Sequence, residues 1–173
     1  LIAKDRSSSF LQRLYTTPLT ASDYILGYTL PIVPIAVAQS IICYLAALFL
    51  GLKMTVYIVY ALLTVIPMAV FLIALGLLCG SLFNDKQVGG ICGALLTNLA
   101  AWLSGTWFDL ELVGGVFKQV AYALPFVHGV ELQRAALKGD FGGVFPHLWW
   151  VLGYACLSVV ISILVFTRKM RKN

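Results

Sequence analysis

Four stretches of this 173-residue chain contain no charged side chain: Tyr24 to Leu52, Met54 to Asn84, Gln87 to Phe108 and Phe141 to Thr167. Each is at least as long as the ~20 residues that carry an α-helix across a hydrocarbon core. Each is also apolar nearly all round, whereas a helix on a soluble domain buries one stripe and wets the rest. The composition agrees, with 61% hydrophobic and 11% charged residues and a mean hydropathy of +0.94. The fold class that follows is an all-α integral membrane protein with four transmembrane helices.

The charges sit where such a protein needs them. With four spans both ends lie on one side, which carries Lys4, Arg6, Arg13, Lys86, Arg168, Lys169, Arg171 and Lys172. The other side carries Lys53, Lys118, Arg134 and Lys138, so the twelve Lys and Arg divide eight to four. The positive-inside rule makes both ends cytoplasmic. The net charge of +5 is thus a topogenic signal, and no basic stripe interleaved with aromatics points to nucleic acid. The stretch from Leu110 to Val130 is apolar enough to be considered as a further span, yet it holds Lys118 and is broken by Pro125. A fifth crossing would put the basic tail outside. We read it as an outer re-entrant helical hairpin, with Pro125 ending its first helix and HGVELQRAAL forming the second. His128 lies in this outer hairpin, and Glu131 and Arg134 are neighbours at i, i+3 on its second helix. The organisation is a single transmembrane domain over 1–173. It comprises a cytoplasmic segment 1–23, spans 24–52, 54–84 and 87–108, an outer hairpin 109–140, a last span 141–167 and a basic tail 168–173.

Inside the spans, Pro31, Pro34 and Pro67 predict kinks. Gly76 and Gly80 form a GxxxG, and Gly89, Gly90 and Gly93 open the third span, where small residues permit close helix contact. Trp107, Trp149, Trp150 and Tyr154 fall near the predicted interfaces, as an aromatic belt would. The four cysteines, Cys43, Cys79, Cys92 and Cys156, lack CxxC spacing and read as small apolar fillers. The chain opens at Leu1 with neither an initiator Met nor a targeting sequence, which suggests a preceding part.

Chemistry at membrane depth needs ionisable or nucleophilic groups, and the four runs contain no Asp, Glu, Lys or Arg. Ser104 with His128 or His147 lacks the orienting partner of a dyad. No GxxxxGK[ST] phosphate loop is present, so the chain does not itself hydrolyse ATP. The sparse polar groups at depth are Gln39, Ser40, Thr64, Thr97, Asn98, Ser104, Ser158 and Ser162. Most are expected to bond a neighbouring helix or their own backbone. Asn98 stands apart, because a mid-span carboxamide needs several partners.

The segment SSSFLQRLYTTPLTASDYILGY is the most informative. Ser8 or Ser9 can cap a short helix through Tyr15 whose Phe10, Leu11 and Leu14 share one face, with Gln12 and Arg13 more polar. Thr17-Pro18 breaks it, and Ser22 or Asp23 caps the helix that enters the first span. Such a short amphipathic helix either rests on lipid headgroups or plugs a soluble partner's groove.

The phrase FLQRLYTTPLTASDYILGY before a proline-containing span, together with ALPFVHGVELQRAALKGD before the last span, resembles ABC exporter permeases of the second type. The order of parts agrees over essentially the whole chain: cytoplasmic helix, three spans, outer hairpin, final span, basic tail. Permeases of that family have six spans, and the first two precede the segment present here. The resemblance implies a membrane-spanning subunit in the cytoplasmic membrane, paired with a second permease copy and with separate ATP-binding subunits that hold the ATP and magnesium; this chain would need no cofactor. Phe10, Leu11, Arg13, Leu14 and Tyr15 would contact the ATP-binding subunit and pass its closure to the first span. Asn98 and Trp102, at i, i+4 on the third span, would line the substrate path, and the hairpin bearing Pro125, His128, Glu131 and Arg134 would cap the exit. An apolar, uncharged wall suits lipid-like, amphiphilic or drug-like cargo. The alternatives are a membrane assembly scaffold and a secondary transporter, the latter disfavoured by the absence of buried charge.

Overall fold

Runs without charge become helices because lipid offers their backbones no other partner. The computed structural model describes residues 21–170, and among these residues there is no strand. The elements are α1 (Ala21–Phe49), α2 (Tyr57–Leu82), α3 (Asp85–Val88), a π-helical stretch (Gly89–Leu96), α4 (Thr97–Leu103), α5 (Leu110–Val113), α6 (Gly115–Ala123), α7 (Pro125–Lys138) and α8 (Phe141–Met170). The segment holding Phe10 to Tyr15 lies outside the described residues.

Among the described residues, three helices are long and apolar enough to cross a bilayer: Ile25–Phe49, Tyr57–Leu82 and Phe141–Arg168. The third uncharged run is not one long α-helix. It runs head to tail through α3, the π-helical stretch and α4, and Thr97 Oγ1 donates to the Cys92 carbonyl five residues back at 3.0 Å. Helix α1 is already helical at Ala21, so Ser22 and Asp23 lie in its first turn and not at its cap. There Asp23 complements the positive end of the helix dipole. The helices continue through Pro31, Pro34, Pro67 and Pro146, each of which withdraws one N–H from the backbone ladder.

The turn into α3 is closed by a capping box, with the Asn84 N–H donating to Gln87 Oε1 at 3.1 Å. Leu124 is extended and Pro125 is the first residue of α7, where its missing N–H would have had no helical partner. Pro125 therefore separates the two hairpin helices, and the second begins three residues before His128. That helix ends at Gly139, which adopts φ +74° and lets Asp140 N–H reach the Ala135 carbonyl at 3.0 Å. The carboxylate of Asp140 then accepts from Gly143 N–H at the start of α8.

Helices α2 and α8 form the centre. Their contact is sealed by Ser162, whose hydroxyl lies 2.9 Å from the Ala74 carbonyl of α2 and 2.8 Å from its own Ser158 carbonyl. Ile25, Leu77 and Phe166 pack together near one end, and Ala61, Leu132, Ala136, Val144 and Val151 near the other. Between these, Phe71, Phe126 and Ala155 join α2, α7 and α8, with Leu96, Ala100 and Leu103 of the third run against them. A Cβ at Gly76, Gly89, Gly90 or Gly93 would meet nothing within 4 Å, so these glycines make no close helix contact among the described residues. Gly80, the other glycine of the GxxxG, is buried, and so is Ala74, whose carbonyl meets Ser162 of α8.

Candidate functional site

Most polar groups at span depth are satisfied locally. Ser40 Oγ donates to the Ala36 carbonyl, Thr64 Oγ1 lies within hydrogen-bond distance of Ala61, and Asn98 Nδ2 donates to the Ala94 carbonyl at 2.7 Å. Ser104 donates to the Ala101 carbonyl and pairs with Thr106, so neither histidine joins it.

The exception is a tie between three helices that the sequence did not announce. Gln133 of α7 meets Tyr44 of α1 and Thr64 of α2. We assign its amide so that Nε2 donates to Tyr44 Oη at 2.8 Å and to the Ala61 carbonyl at 3.0 Å, while Oε1 accepts from Thr64 Oγ1 at 3.0 Å and Val65 N–H at 3.2 Å. The opposite orientation would set the amide oxygen against the Ala61 carbonyl and the amide nitrogen against the Val65 N–H. Gly129, one turn earlier on α7, lets that helix approach α2, since a Cβ there would lie 2.9 Å from Met68 Sδ. Below this tie α1 stands away from α2, leaving a cleft of about 480 Å³ lined by Gln39, Ser40 and Tyr44 of α1, Met68 and Leu72 of α2, and Gln133.

The hairpin is joined to α8 by an aromatic and imidazole stack. His128 is buried, its Nε2 donates to the Tyr122 carbonyl at 2.9 Å, and its Nδ1 lies 2.9 Å from His147 Nδ1. Because a carbonyl only accepts, the proton of neutral His128 is on Nε2, and His147 is the donor of the shared bond. The His128 ring stacks on Trp150, which stacks on Tyr154, and Tyr154 Oη donates to the Ala123 carbonyl at 2.6 Å. On the hairpin surface Arg134 pairs with Glu131 at 2.7 Å. Lys118 pairs with Glu111 at 2.5 Å, and this hydrogen bond holds the exposed Lys118 ammonium above its ordinary pKa.

Asn98 and Trp102 lie on the side of the third run that faces away from the bundle. Leu96, Ala100 and Leu103 point inward, whereas Gly93, Ala94, Thr97, Asn98 and Trp102 are exposed. The structure thus places the two predicted path residues together on an open face with no described element over them.

A family model described as ABC-2 type transporter matches residues 2–138. This chain belongs to the ABC-2 type transporter family. Among curated relatives, the capsule polysaccharide export inner-membrane protein CtrC of Neisseria meningitidis serogroup B is 30% identical over 147 residues, covering 84% of this chain and 55% of the relative. Its serogroup A counterpart is 25% identical over 133 residues, covering 76% of this chain and 50% of the relative. The uncharacterized protein YhgE of Bacillus subtilis is 28% identical over 111 residues, 64% of this chain and 14% of that protein. The chain spans about half the length of the two capsule-export relatives. No solved structure matches it. As an ABC-2 family member, the chain is a membrane permease component. The match takes in α1, α2, the π-helical stretch and the hairpin through Lys138.

Proposed function

We propose that this chain is part of the membrane-spanning subunit of an ATP-driven exporter in the cytoplasmic membrane. The observation that carries the reading is the ABC-2 family match over residues 2–138, which includes both the segment before α1 and the hairpin. The chain crosses four times: α1, α2, the α3-to-α4 run and α8. The run from Asp85 to Leu103 has 19 residues, about 28 Å at the α-helical rise and close to the hydrocarbon thickness. The hairpin α6–α7 lies on the outer side, and both ends lie in the cytoplasm, as the distribution of Lys and Arg favours.

ATP and magnesium are held by a separate ATP-binding subunit, which docks on Phe10, Leu11, Arg13, Leu14 and Tyr15 and drives α1 from its cytoplasmic end. A second permease copy faces the open side of the third run, so that Asn98 and Trp102 border a path between the copies, and the hairpin with Pro125, His128, Glu131 and Arg134 closes its outer end. Cargo is amphiphilic, lipid-like or drug-like, in keeping with walls that carry no charge. The names of the two Neisseria relatives favour a polysaccharide as a second cargo class.

The test is co-purification of the complete permease with its ATP-binding subunit, comparing wild type with Leu14→Asp and Arg13→Glu. Loss of the complex or of transport-coupled ATP hydrolysis, with membrane insertion intact, is the expected result. Survival of both in both variants would overturn the docking role and favour a helix resting on lipid headgroups.

A further inference from the structure

The cleft between α1, α2 and α7 has three properties that belong together. It holds about 480 Å³, within the range of small-ligand sites. None of its lining residues is charged. Its α1 wall carries Gln39, ten residues from the helix end at Phe49 and fourteen from Ile25, which is about 15 and 21 Å along the axis and hence near mid-bilayer. The Gln39 carboxamide makes no hydrogen bond to any described residue, although its neighbours Ser40 and Tyr44 both do. Tyr44 Oη accepts from Gln133, which leaves its own proton free to point into the cleft. An unmet carboxamide at this depth is costly, and a ligand hydroxyl would satisfy it.

We propose that this cleft is an intramembrane binding site for an uncharged, hydroxyl-bearing lipid resident in the bilayer, of the acylglycerol class. The hydroxyl meets Gln39 and Tyr44, and the acyl chain lies along Met68 and Leu72. A charged headgroup is excluded because no counter-charge lines the site, and a plain hydrocarbon would leave Gln39 unmet. The site bridges α1 and the second hairpin helix α7, so its occupant fills the gap beside their polar tie. The inference is independent of which subunit hydrolyses ATP.

The test uses the assembled transporter in phosphatidylcholine vesicles containing a diazirine-bearing monoacylglycerol, photolysed without ATP and mapped by peptide mass spectrometry. Labelling is expected on 36–44 and 65–73, to saturate, and to be competed by monooleoylglycerol but not by hexadecane or lysophosphatidic acid. Gln39→Leu, which removes no hydrogen bond to any described residue, is expected to weaken binding about fivefold, the effect of one hydrogen bond. Leu72→Trp, which fills the cleft, is expected to abolish it. Cys43, a native thiol on the same wall, should be protected by monooleoylglycerol from a lipid-soluble maleimide once the other cysteines are replaced. Unsaturable labelling unchanged in Gln39→Leu would overturn the proposal. So would a Cys43 that is blocked without added lipid while the probe labels nothing, since a protein segment would then fill the cleft. ATP-dependent transfer of the probe across the membrane would make it cargo and overturn the resident role.

Discussion

At single positions the structure makes sharp demands. Gly139 sits in the left-handed region that only glycine adopts readily, and a Cβ there would lie 2.5 Å from the Tyr57 ring at the start of α2. Gly139→Ala therefore strains the backbone and displaces an aromatic at once. It is expected to cost about 1–3 kcal/mol, read as a lower midpoint in thermal unfolding of the detergent-solubilised protein. Gly129 differs in kind, because its neighbour is the end of a flexible methionine. Gly129→Ala should be nearly neutral in the same assay, and Gly129→Leu should push α7 off α2. Gln133→Leu is nearly the same size but removes every bond that joins α7 to Tyr44 and Thr64. A loss of about 1–2 kcal/mol is expected, at the upper end for polar contacts between membrane helices.

Among elements, the hairpin is the piece that holds the others in register. Its first helix is tied to α8 by Tyr154, its second to α8 by the histidine pair and to α1 and α2 by Gln133. His147→Phe keeps the ring but leaves His128 Nδ1 buried without its partner. The variant is expected to raise proteolytic cleavage between α6 and α8 severalfold relative to wild type, for a loss of about 1–2 kcal/mol. Charge-free length and residue patterns made α1, α2, α8 and a helix break at Pro125 readable in advance. The π-helical stretch was not readable, because hydropathy is the same whether a backbone bonds four or five residues back. Nor was the Gln133 tie: its partners lie 69 and 89 residues away, and on α7 a glutamine beside Glu131 and Arg134 reads as one more surface polar group. The histidines, 19 residues apart, were each visible but not as a pair. Asn98 looked as if it needed an outside partner, and its amide nitrogen found one a single turn back.

For the molecule as a whole, the third run is bound to the bundle by one face only. Its other face, with Gly93, Asn98 and Trp102, is exposed among the described residues. If a second copy lies against it, Gly93→Cys and Asn98→Cys in a background without native cysteines should form symmetric disulfides in native membranes under mild oxidation. Cysteines placed on the outward side of α8, at Val160 for instance, should not. Crosslinking at Val160 with none at positions 93 and 98 would move the dimer contact to the last span.

The distance in sequence between Tyr44 and Gln133 also sets a clock. A ribosome adding ~5–20 residues per second needs roughly 5 to 20 seconds to make the 89 residues between them. For the later part of that interval, once α2 is complete at Leu82, α1 and α2 wait in the membrane without the residue that ties both to α7. Insertion of this chain therefore passes through a stage at which its first two described spans are made, threaded and unlatched, and the hairpin arrives as the late key that fastens them.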